Sequence, residues 1–209
     1  MRQVFYPGVL TEAIAITGDD VHHLARVMRA QIGDAITVVD AAGQAAEMVV
    51  TALTRDVVHL RMQRVLPVET EGREVVLVQA LLKGEKMDFV VQKAAELGAA
   101  CVCPIVTEHV VVRYDAKKAA AKAARWQKIA DEAAKQCGRR MLMRVAPIIS
   151  LTELLRDPAY IGAADTATVF CYEQEERQSI RTVLCGTEAR RVTLIVGAEG
   201  GFSPAEAAA

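Results

Sequence analysis

The residues best suited to chemistry stand in a short glycine-rich stretch near the end of the 209-residue chain. Gly197–Gly201 contains three glycines and one acid, Glu199, directly after an apolar, β-branched run at 192–196. Glycines permit tight turns and let a ligand approach the backbone closely. A capping box at Ser203–Glu206 then predicts a helix start. Strand, glycine turn and helix N-terminus predict either a ligand cradle at the carboxyl end of a sheet or a plain strand-to-helix turn.

A second set of candidates follows another apolar run. Lys83–Asp88 lies at the predicted carboxyl end of a strand and opens a predicted helix. Open α/β sheets bind their ligands at such ends, so Lys83 and Lys86 are candidates for contacts to an anion. Further along the same helix, the spacing of Lys93 and Glu96 is also that of an ordinary surface ion pair.

Positive charge is concentrated in one segment. Residues 113–144 contain ten Lys or Arg and three Asp or Glu, a local charge of +7, although the whole chain carries −1. Such a segment can attract a polyanion without a high overall pI. Arg125 and Arg139 are its candidate phosphate contacts, although Arg139, past a helix end, could instead satisfy the last helical carbonyls. Trp126 is interpreted as a core residue rather than a base-stacking platform.

A third basic face lies in the first part of the chain. A short helix is predicted from Asp19 or Asp20 to about Ala30, and it interrupts a β-rich region. Three of its side chains recur at i, i+4 and i+7 and so share one face: His22, Arg26 and Arg29. This face is either simply solvated or contacts phosphates, and the pattern favours neither.

Composition excludes several classes of protein. No apolar run approaches the ~20 residues of a membrane span, and no signal segment follows Met1, so we expect a cytoplasmic protein without a membrane anchor. Five cysteines, an odd number, argue against a disulfide framework. Cys101 and Cys103 lack the spacing of a zinc site and are interpreted as core residues. The four histidines also lack ligand spacing, so we expect no metal.

Two differently patterned regions must position these residues. The first, β-rich region ends in a polar segment with Pro and Gly at 66–72, and an alternation of strands and helices follows. Strands are predicted in the first region at Val4–Phe5, Ala13–Ile16, Ala35–Val39, Glu47–Ala52 and Val57–Gln63. The second region is predicted to be an α/β domain with a mostly parallel sheet, with strands Val75–Leu82, Cys101–Val106, Ala167–Tyr172 and Val192–Val196 and helices Glu85–Leu97, Ala116–Cys137 and Glu175–Leu184.

A set of motifs, in a fixed order along the chain, resembles the bacterial 16S ribosomal RNA uridine N3-methyltransferases of the SPOUT superfamily. The motifs are at 83–88, 92–98, 125–129, 132–139 and 197–203. Residues 22–29 also resemble that family's N-terminal PUA-like barrel. The resemblance runs from about residue 2 to residue 206.

The resemblance implies a PUA-like β-barrel at 1–68 that binds RNA and a SPOUT-type methyltransferase domain at 73–209 with a C-terminal trefoil knot. It implies S-adenosylmethionine as cofactor, N3-methylation of a uridine in 16S rRNA of the small ribosomal subunit, and a homodimer. Glu199 and Arg139 are the expected catalytic residues. Glu199 is the candidate acid/base, although it could instead accept backbone N–H bonds within the glycine turn. The expected cofactor-binding residues are Gly197, Glu199, Gly200, Gly201, Tyr172 and Glu173. The expected RNA-binding residues are Arg26, Arg29, Lys83, Lys86, Arg125 and Arg139.

Three departures from the family pattern accompany the resemblance. Ala198 stands where the family usually has Pro, and Lys135 and Cys137 replace a usual Glu and Ser. The family's last motif, which completes the knot and the cofactor pocket, does not follow residue 209. We therefore expect an incomplete knot and weakened cofactor binding. Two other hypotheses stay open: a non-catalytic RNA-binding or ribosome-assembly module, and another α/β transferase that uses a nucleotide.

Overall fold

A computed structural model describes residues 3–67 and 72–209, with the side chain of residue 27 left aside. The chain divides into two compact units. The described residues of the first unit are 3–67 together with 135–141, and those of the second are 72–134 and 142–209. Most of the predicted boundary at 66–72 lies outside the described residues, so the limits 1–68 and 73–209 stay a prediction.

The first unit is a curled five-stranded sheet with the order β1-β3-β4-β5-β2. Apart from the parallel pair of β1 and β3, its neighbouring strands are antiparallel. Alternate residues point to its buried side, among them Val4, Ile14, Val38 and Leu60. The strands are β1 Gln3–Tyr6, β2 Ala13–Thr17, β3 Ala35–Asp40, β4 Ala45–Leu53 and β5 Val57–Val65, and they confirm the five predicted strands.

The predicted helix at 19–30 is present only in part. Helix α1 (Asp19–His22) continues into a π-helical turn at His23–Val27. The Met28 N–H donates to the His23 carbonyl five residues earlier, which is the π-helical hydrogen bond. Arg29 then has φ 50°, so the helix cannot extend to Ala30 as predicted.

Hydrogen bonds join residues 135–141 to the rest of the first unit. Lys135 Nζ lies 3.0 Å from Asp20 Oδ1. Gln3 Nε2 donates to the Arg139 carbonyl at 2.6 Å, and Arg140 donates to the carbonyl of Pro67 at 2.6 Å.

The second unit is built on a parallel sheet with the order β10-β11-β6-β7-β8, and β9 extends the pairing along β7. Val196 of β11 pairs with Cys171 of β10 on one side and with Gln79 of β6 on the other, so these three strands end at the same level. The strands are β6 Glu74–Ala80, β7 Cys101–Val106, β8 Arg144–Val145, β9 Ile149–Ser150, β10 Thr166–Cys171 and β11 Arg191–Val196. The predicted parallel sheet is confirmed.

Helices cover this sheet and supply its core. The buried side chains include Met87 and Val91 of α2, Trp126 and Ala130 of α3, and both Cys101 and Cys103 of β7, so Trp126 and the two cysteines are core residues as interpreted. The helices are α2 Lys86–Leu97, α3 Ala116–Cys137, α4 Leu151–Arg156, α5 Ile180–Cys185 and α6 Pro204–Ala208.

Helix α5 starts five residues later than predicted. Glu175 accepts hydrogen bonds from the N–H groups of Arg177 and Gln178 and so closes a turn instead of opening a helix. The helix begins after Ser179, whose side chain accepts from the Thr182 N–H.

Candidate active site

The glycine stretch forms a turn at the carboxyl end of β11. The Gly201 N–H donates to the Ala198 carbonyl at 3.0 Å, and Gly201 has φ +65°, a conformation that glycine adopts without strain. A Cβ at Gly197 would lie only 3.2 Å from the Gly201 backbone. The two glycines therefore allow the chain to fold back on itself within five residues.

Side chains from β6 and from the loop after β7 bind two carbonyl groups of this turn. Gln79, buried near the end of β6, donates its amide to the Gly197 carbonyl at 2.9 Å. His109, in the loop after β7, places Nδ1 2.7 Å from the Gly200 carbonyl oxygen. A carbonyl oxygen can only accept, so Nδ1 carries the proton in this contact. The turn is thereby fixed from two sides.

Glu199 in the turn is paired with a cation from α2. Lys86 Nζ lies 2.8 Å from Glu199 Oε1. The pKa of Glu199 is lowered, chiefly by the hydrogen bond from Lys86 and next by backbone N–H donors. A carboxylate with a lowered pKa is a weaker proton acceptor than an ordinary glutamate, which bears directly on the acid/base role expected for it.

The helix start after the turn is anchored as well. The Ser203 and Glu206 groups form the predicted capping box, and Glu206 Oε1 also accepts from the Glu108 N–H at 2.7 Å. Phe202 is buried and stacks on Phe170 of β10 with ring centroids 4.4 Å apart. The loop after β7 and the strand β10 therefore both fix the position of the turn.

An open cavity with a volume of about 540 Å³ lies beside this turn. The turn supplies one wall, and the end of β10 supplies the other with Cys171, Tyr172 and Glu173. The Glu173 carboxylate packs against the position where a Cβ of Gly201 would be. Backbone groups of the turn and the carboxylates of Glu173 and Glu199 thus line a cavity whose size suits a small organic ligand.

The start of α2 is tied to α3 through Asp88. Its Oδ1 accepts from the indole Nε1 of Trp126 at 2.9 Å, and its Oδ2 forms an ion pair with Arg125. Trp126 is 1% exposed, whereas the Arg125 side chain is 57% exposed. The Asp88 contacts hold the segment that presents Lys86 to the turn.

The structure brings the expected cofactor residues together. Around one cavity of the second unit lie all six of them: Gly197, Glu199, Gly200, Gly201, Tyr172 and Glu173. Of the expected RNA contacts in this unit, Lys83 is exposed, Lys86 is bound to Glu199, and Arg125 is bound to Asp88. Arg26, Arg29 and Arg139 belong to the first unit, where Arg26 and Arg29 are exposed.

Two residues that hold the turn were missed by the sequence analysis. Gln79 stands inside an apolar run, and a polar residue within a strand predicted to be buried on both faces was the available signal. His109 had no signal, because its partner Gly200 is 91 positions away and the histidines were considered only as metal ligands. A Cβ at Gly200 would lie 3.1 Å from that of His109, so this glycine makes room for the histidine.

The described residues include no group of three or more His, Cys, Asp or Glu placed to hold a metal ion. None of the helices in residues 3–67 and 72–209 is long and apolar enough to cross a membrane.

Comparison with known proteins agrees with this geometry. Residues 69–209 match the RNA methyltransferase domain, and residues 16–63 match the RNA methyltransferase PUA domain. The chain is 34% identical to the ribosomal RNA small subunit methyltransferase E of Bacillus subtilis over 92% of this chain and 76% of that protein. A protein of the same name from Mycobacterium bovis is 28% identical over 100% of this chain and 80% of its own.

A solved structure is similar throughout. The ribosomal RNA small subunit methyltransferase E of Neisseria gonorrhoeae, bound to S-adenosyl methionine, superposes with a TM-score of 0.79 at 26% identity, over 100% of this chain and 84% of that one. The first unit is accordingly a PUA-like barrel, and the second is a SPOUT-type α/β domain. The chain belongs to the ribosomal RNA small subunit methyltransferase E family of RNA methyltransferases.

Proposed function

We propose that this protein transfers a methyl group from S-adenosylmethionine to N3 of a uridine in 16S ribosomal RNA. The observation that carries the proposal is the glycine turn at 197–201 beside a cavity of about 540 Å³, at the carboxyl ends of β10 and β11. Family membership supports rRNA methylation, and the motifs at 83–88 and 197–203 support uridine N3 as the acceptor.

The residues around the cavity fit the cofactor. Backbone groups of Gly197, Gly200 and Gly201 would bind its polar edges, since these residues line the cavity and carry no side chain of their own. The aromatic ring of Tyr172 and the carboxylate of Glu173 line the opposite wall, where they suit an apolar ring and hydroxyl or ammonium groups. When bound, S-adenosylmethionine supplies an electrophilic methyl group.

The acceptor requires more of the protein than the donor does. The N3–H of uridine is a neutral imide, so it must lose its proton before N3 becomes a good nucleophile. Alignment of N3 with the methyl group supplies part of the rate, and stabilisation of the anionic form supplies another part. Glu199 was the expected acid/base, but its pairing with Lys86 favours a structural role in the turn.

RNA would be held by cations of both units. We assign phosphate contacts to Arg26, Arg29 and Arg139 of the first unit and to Lys83 and Arg125 of the second. Arg139 also stays a candidate for a catalytic role, and a homodimer stays part of the proposal.

Titration calorimetry with S-adenosylmethionine, followed by a methyl-transfer assay on unmodified 16S rRNA in small ribosomal subunits, tests the proposal. Binding together with transfer to a uridine N3 is expected. RNA binding without S-adenosylmethionine binding would instead favour the non-catalytic module. Tight binding of a different nucleotide would favour another transferase.

A further inference from the structure

A lysine stands at the rim of the candidate cofactor cavity. Lys86 is the first residue of α2, and its side chain is 63% exposed. Its Nζ reaches Glu199 Oε1 at 2.8 Å, and Glu199 itself lines the cavity. A ligand that approaches the rim from solvent therefore meets an ammonium group.

The Lys86 ammonium group keeps hydrogen-bond donors beyond the one that binds Glu199. Lysine has three N–H donors, and Glu199 accepts one of them. Within the part of the chain that the structure describes, no other group engages the remaining two. The N-terminal end of α2 adds a positive partial charge at the same place. The rim is thus a site that favours a developing negative charge.

The charged groups around Lys86 come from three segments of the chain. Glu199 comes from the turn, and Glu173 comes from the end of β10 on the far wall of the cavity. Lys83, Glu85 and Asp88 belong to its own segment. Asp88 is already bound to Arg125 and Trp126, so its carboxylate is directed toward α3.

The partner of Lys86 is itself unsuited to remove a proton. The pKa of Glu199 is lowered by the hydrogen bond from Lys86, so this carboxylate stays ionised and binds a further proton weakly. The pair therefore offers hydrogen-bond donors at the rim, whereas it offers no strong proton acceptor.

We propose that Lys86 is a catalytic residue that stabilises the deprotonated uridine by donating a hydrogen bond to a carbonyl oxygen next to N3. This assignment rests on the proposed function. The N3–H proton leaves to water, the N3 lone pair forms the new N–C bond, and the electron pair of the broken C–S bond stays on sulfur. Glu199 orients Lys86 throughout, because the two remain in contact while the other donors face the acceptor.

The test compares Lys86→Met and Lys86→Arg with the unsubstituted protein. Lys93→Met is the matched control, since Lys93 lies on the same helix and pairs with Glu96 at 2.7 Å. The turnover number at saturating substrates is measured from pH 6 to pH 10, together with S-adenosylmethionine affinity by calorimetry and rRNA affinity by filter binding.

Lys86→Met is expected to lower the turnover number at pH 7 by about 100-fold, as loss of one oxyanion donor does in other enzymes. Both affinities should stay within about threefold of the unsubstituted protein. The deficit should shrink as the pH rises, because hydroxide then deprotonates N3 without help from the cation. Lys86→Arg should recover much of the rate, and Lys93→Met should be unaffected.

Other results would overturn the assignment. An unchanged turnover number in Lys86→Met, or a deficit that is constant from pH 6 to pH 10, would show that Lys86 does not stabilise the anion. A loss confined to cofactor affinity would make it a structural residue of the turn, and a loss confined to rRNA affinity would make it a phosphate contact. If the unsubstituted protein transferred no methyl group to rRNA, the proposed function would fail and this assignment with it.

Discussion

His109 donates its Nδ1–H to the carbonyl oxygen of Gly200 at 2.7 Å, although the two residues are 91 positions apart in the chain. The contact links the loop after β7 to the turn after β11. The same turn receives a second side-chain donor, Gln79, from β6 between them. Segments from three neighbouring strands of one parallel sheet thus meet at the turn, and the position of the turn depends on side chains that come from elsewhere in the sequence.

We predict that His109→Ala weakens S-adenosylmethionine binding by about three- to tenfold, because one hydrogen bond to the turn is worth roughly 0.5–1.5 kcal/mol. His109→Asn should restore most of the affinity, since the asparagine amide nitrogen can occupy the position of Nδ1. Calorimetry measures both, with the exposed His59 of β5 changed to Ala as control. Equal affinities for the Ala and Asn variants would show that this hydrogen bond does not position the turn.

Gly201→Ala should lower both stability and cofactor affinity. Gly201 has φ +65°, which costs a residue with a Cβ about 1–2 kcal/mol, and the new Cβ would also displace the Glu173 carboxylate. Gly162→Ala is the control, because Gly162 has φ +82° but no described atom lies within 4 Å of its Cβ position. Chemical denaturation should show similar losses of stability in the two variants, while calorimetry should show a loss of affinity in Gly201→Ala alone. A similar loss of affinity in both would remove Glu173 from the explanation.

Asp88→Ala should destabilise the protein more than Arg125→Ala does. The first change leaves the buried Trp126 N–H without its acceptor, which costs about 1–3 kcal/mol. The second removes the partner of an ion pair whose arginine is 57% exposed, and such pairs contribute at most about 1 kcal/mol. Urea denaturation at pH 7 compares them. Equal losses of stability would mean that the ion pair, rather than the indole hydrogen bond, joins α2 to α3.

Stability should fall at alkaline pH because of Cys103. Burial raises the pKa of this thiol to about 12 from an ordinary 9.0. A raised pKa in the folded state gives stability that is complete below pH 9 and is lost as the pH rises toward 12, by about 1.4 kcal/mol per pH unit at most. Cys103→Ala should be less stable at pH 7, because it leaves a cavity, but should lose stability less steeply above pH 9. Parallel slopes for the two proteins would contradict this account of Cys103.

Much of the fold follows from local patterns in the sequence. The apolar runs of β6, β7, β10 and β11 predict strands, and these strands form one parallel sheet. Capping residues predict a helix start where side chain and backbone are close in sequence, as at Ser203. The predicted start of α5 at Glu175 was wrong, because a turn closed by the Glu175 side chain forms there instead of the helix.

The site could be predicted only where one segment builds it. Gly197–Gly201 and the end of β10 line one cavity, since strand ends in a parallel sheet lie along one edge. The contacts from Gln79, Lys86 and His109 depend on which strands are neighbours, and no local pattern reports that order. Because Lys86 pairs with Glu199, we interpret Glu199 as a structural residue of the turn and Lys86 as a hydrogen-bond donor at the rim of the cavity.

Methyl transfer to isolated small ribosomal subunits tests the central claim most directly. Subunits that lack N3-methyluridine in 16S rRNA are incubated with the protein and S-adenosylmethionine that carries a labelled methyl group, and the rRNA is digested for mass spectrometry. We predict that the label appears in N3-methyluridine and approaches one methyl group per 16S rRNA, and that Gly201→Ala incorporates it far more slowly at low cofactor concentration. Label on a different atom or nucleotide, or no label although the folded protein binds the subunit, would contradict the account.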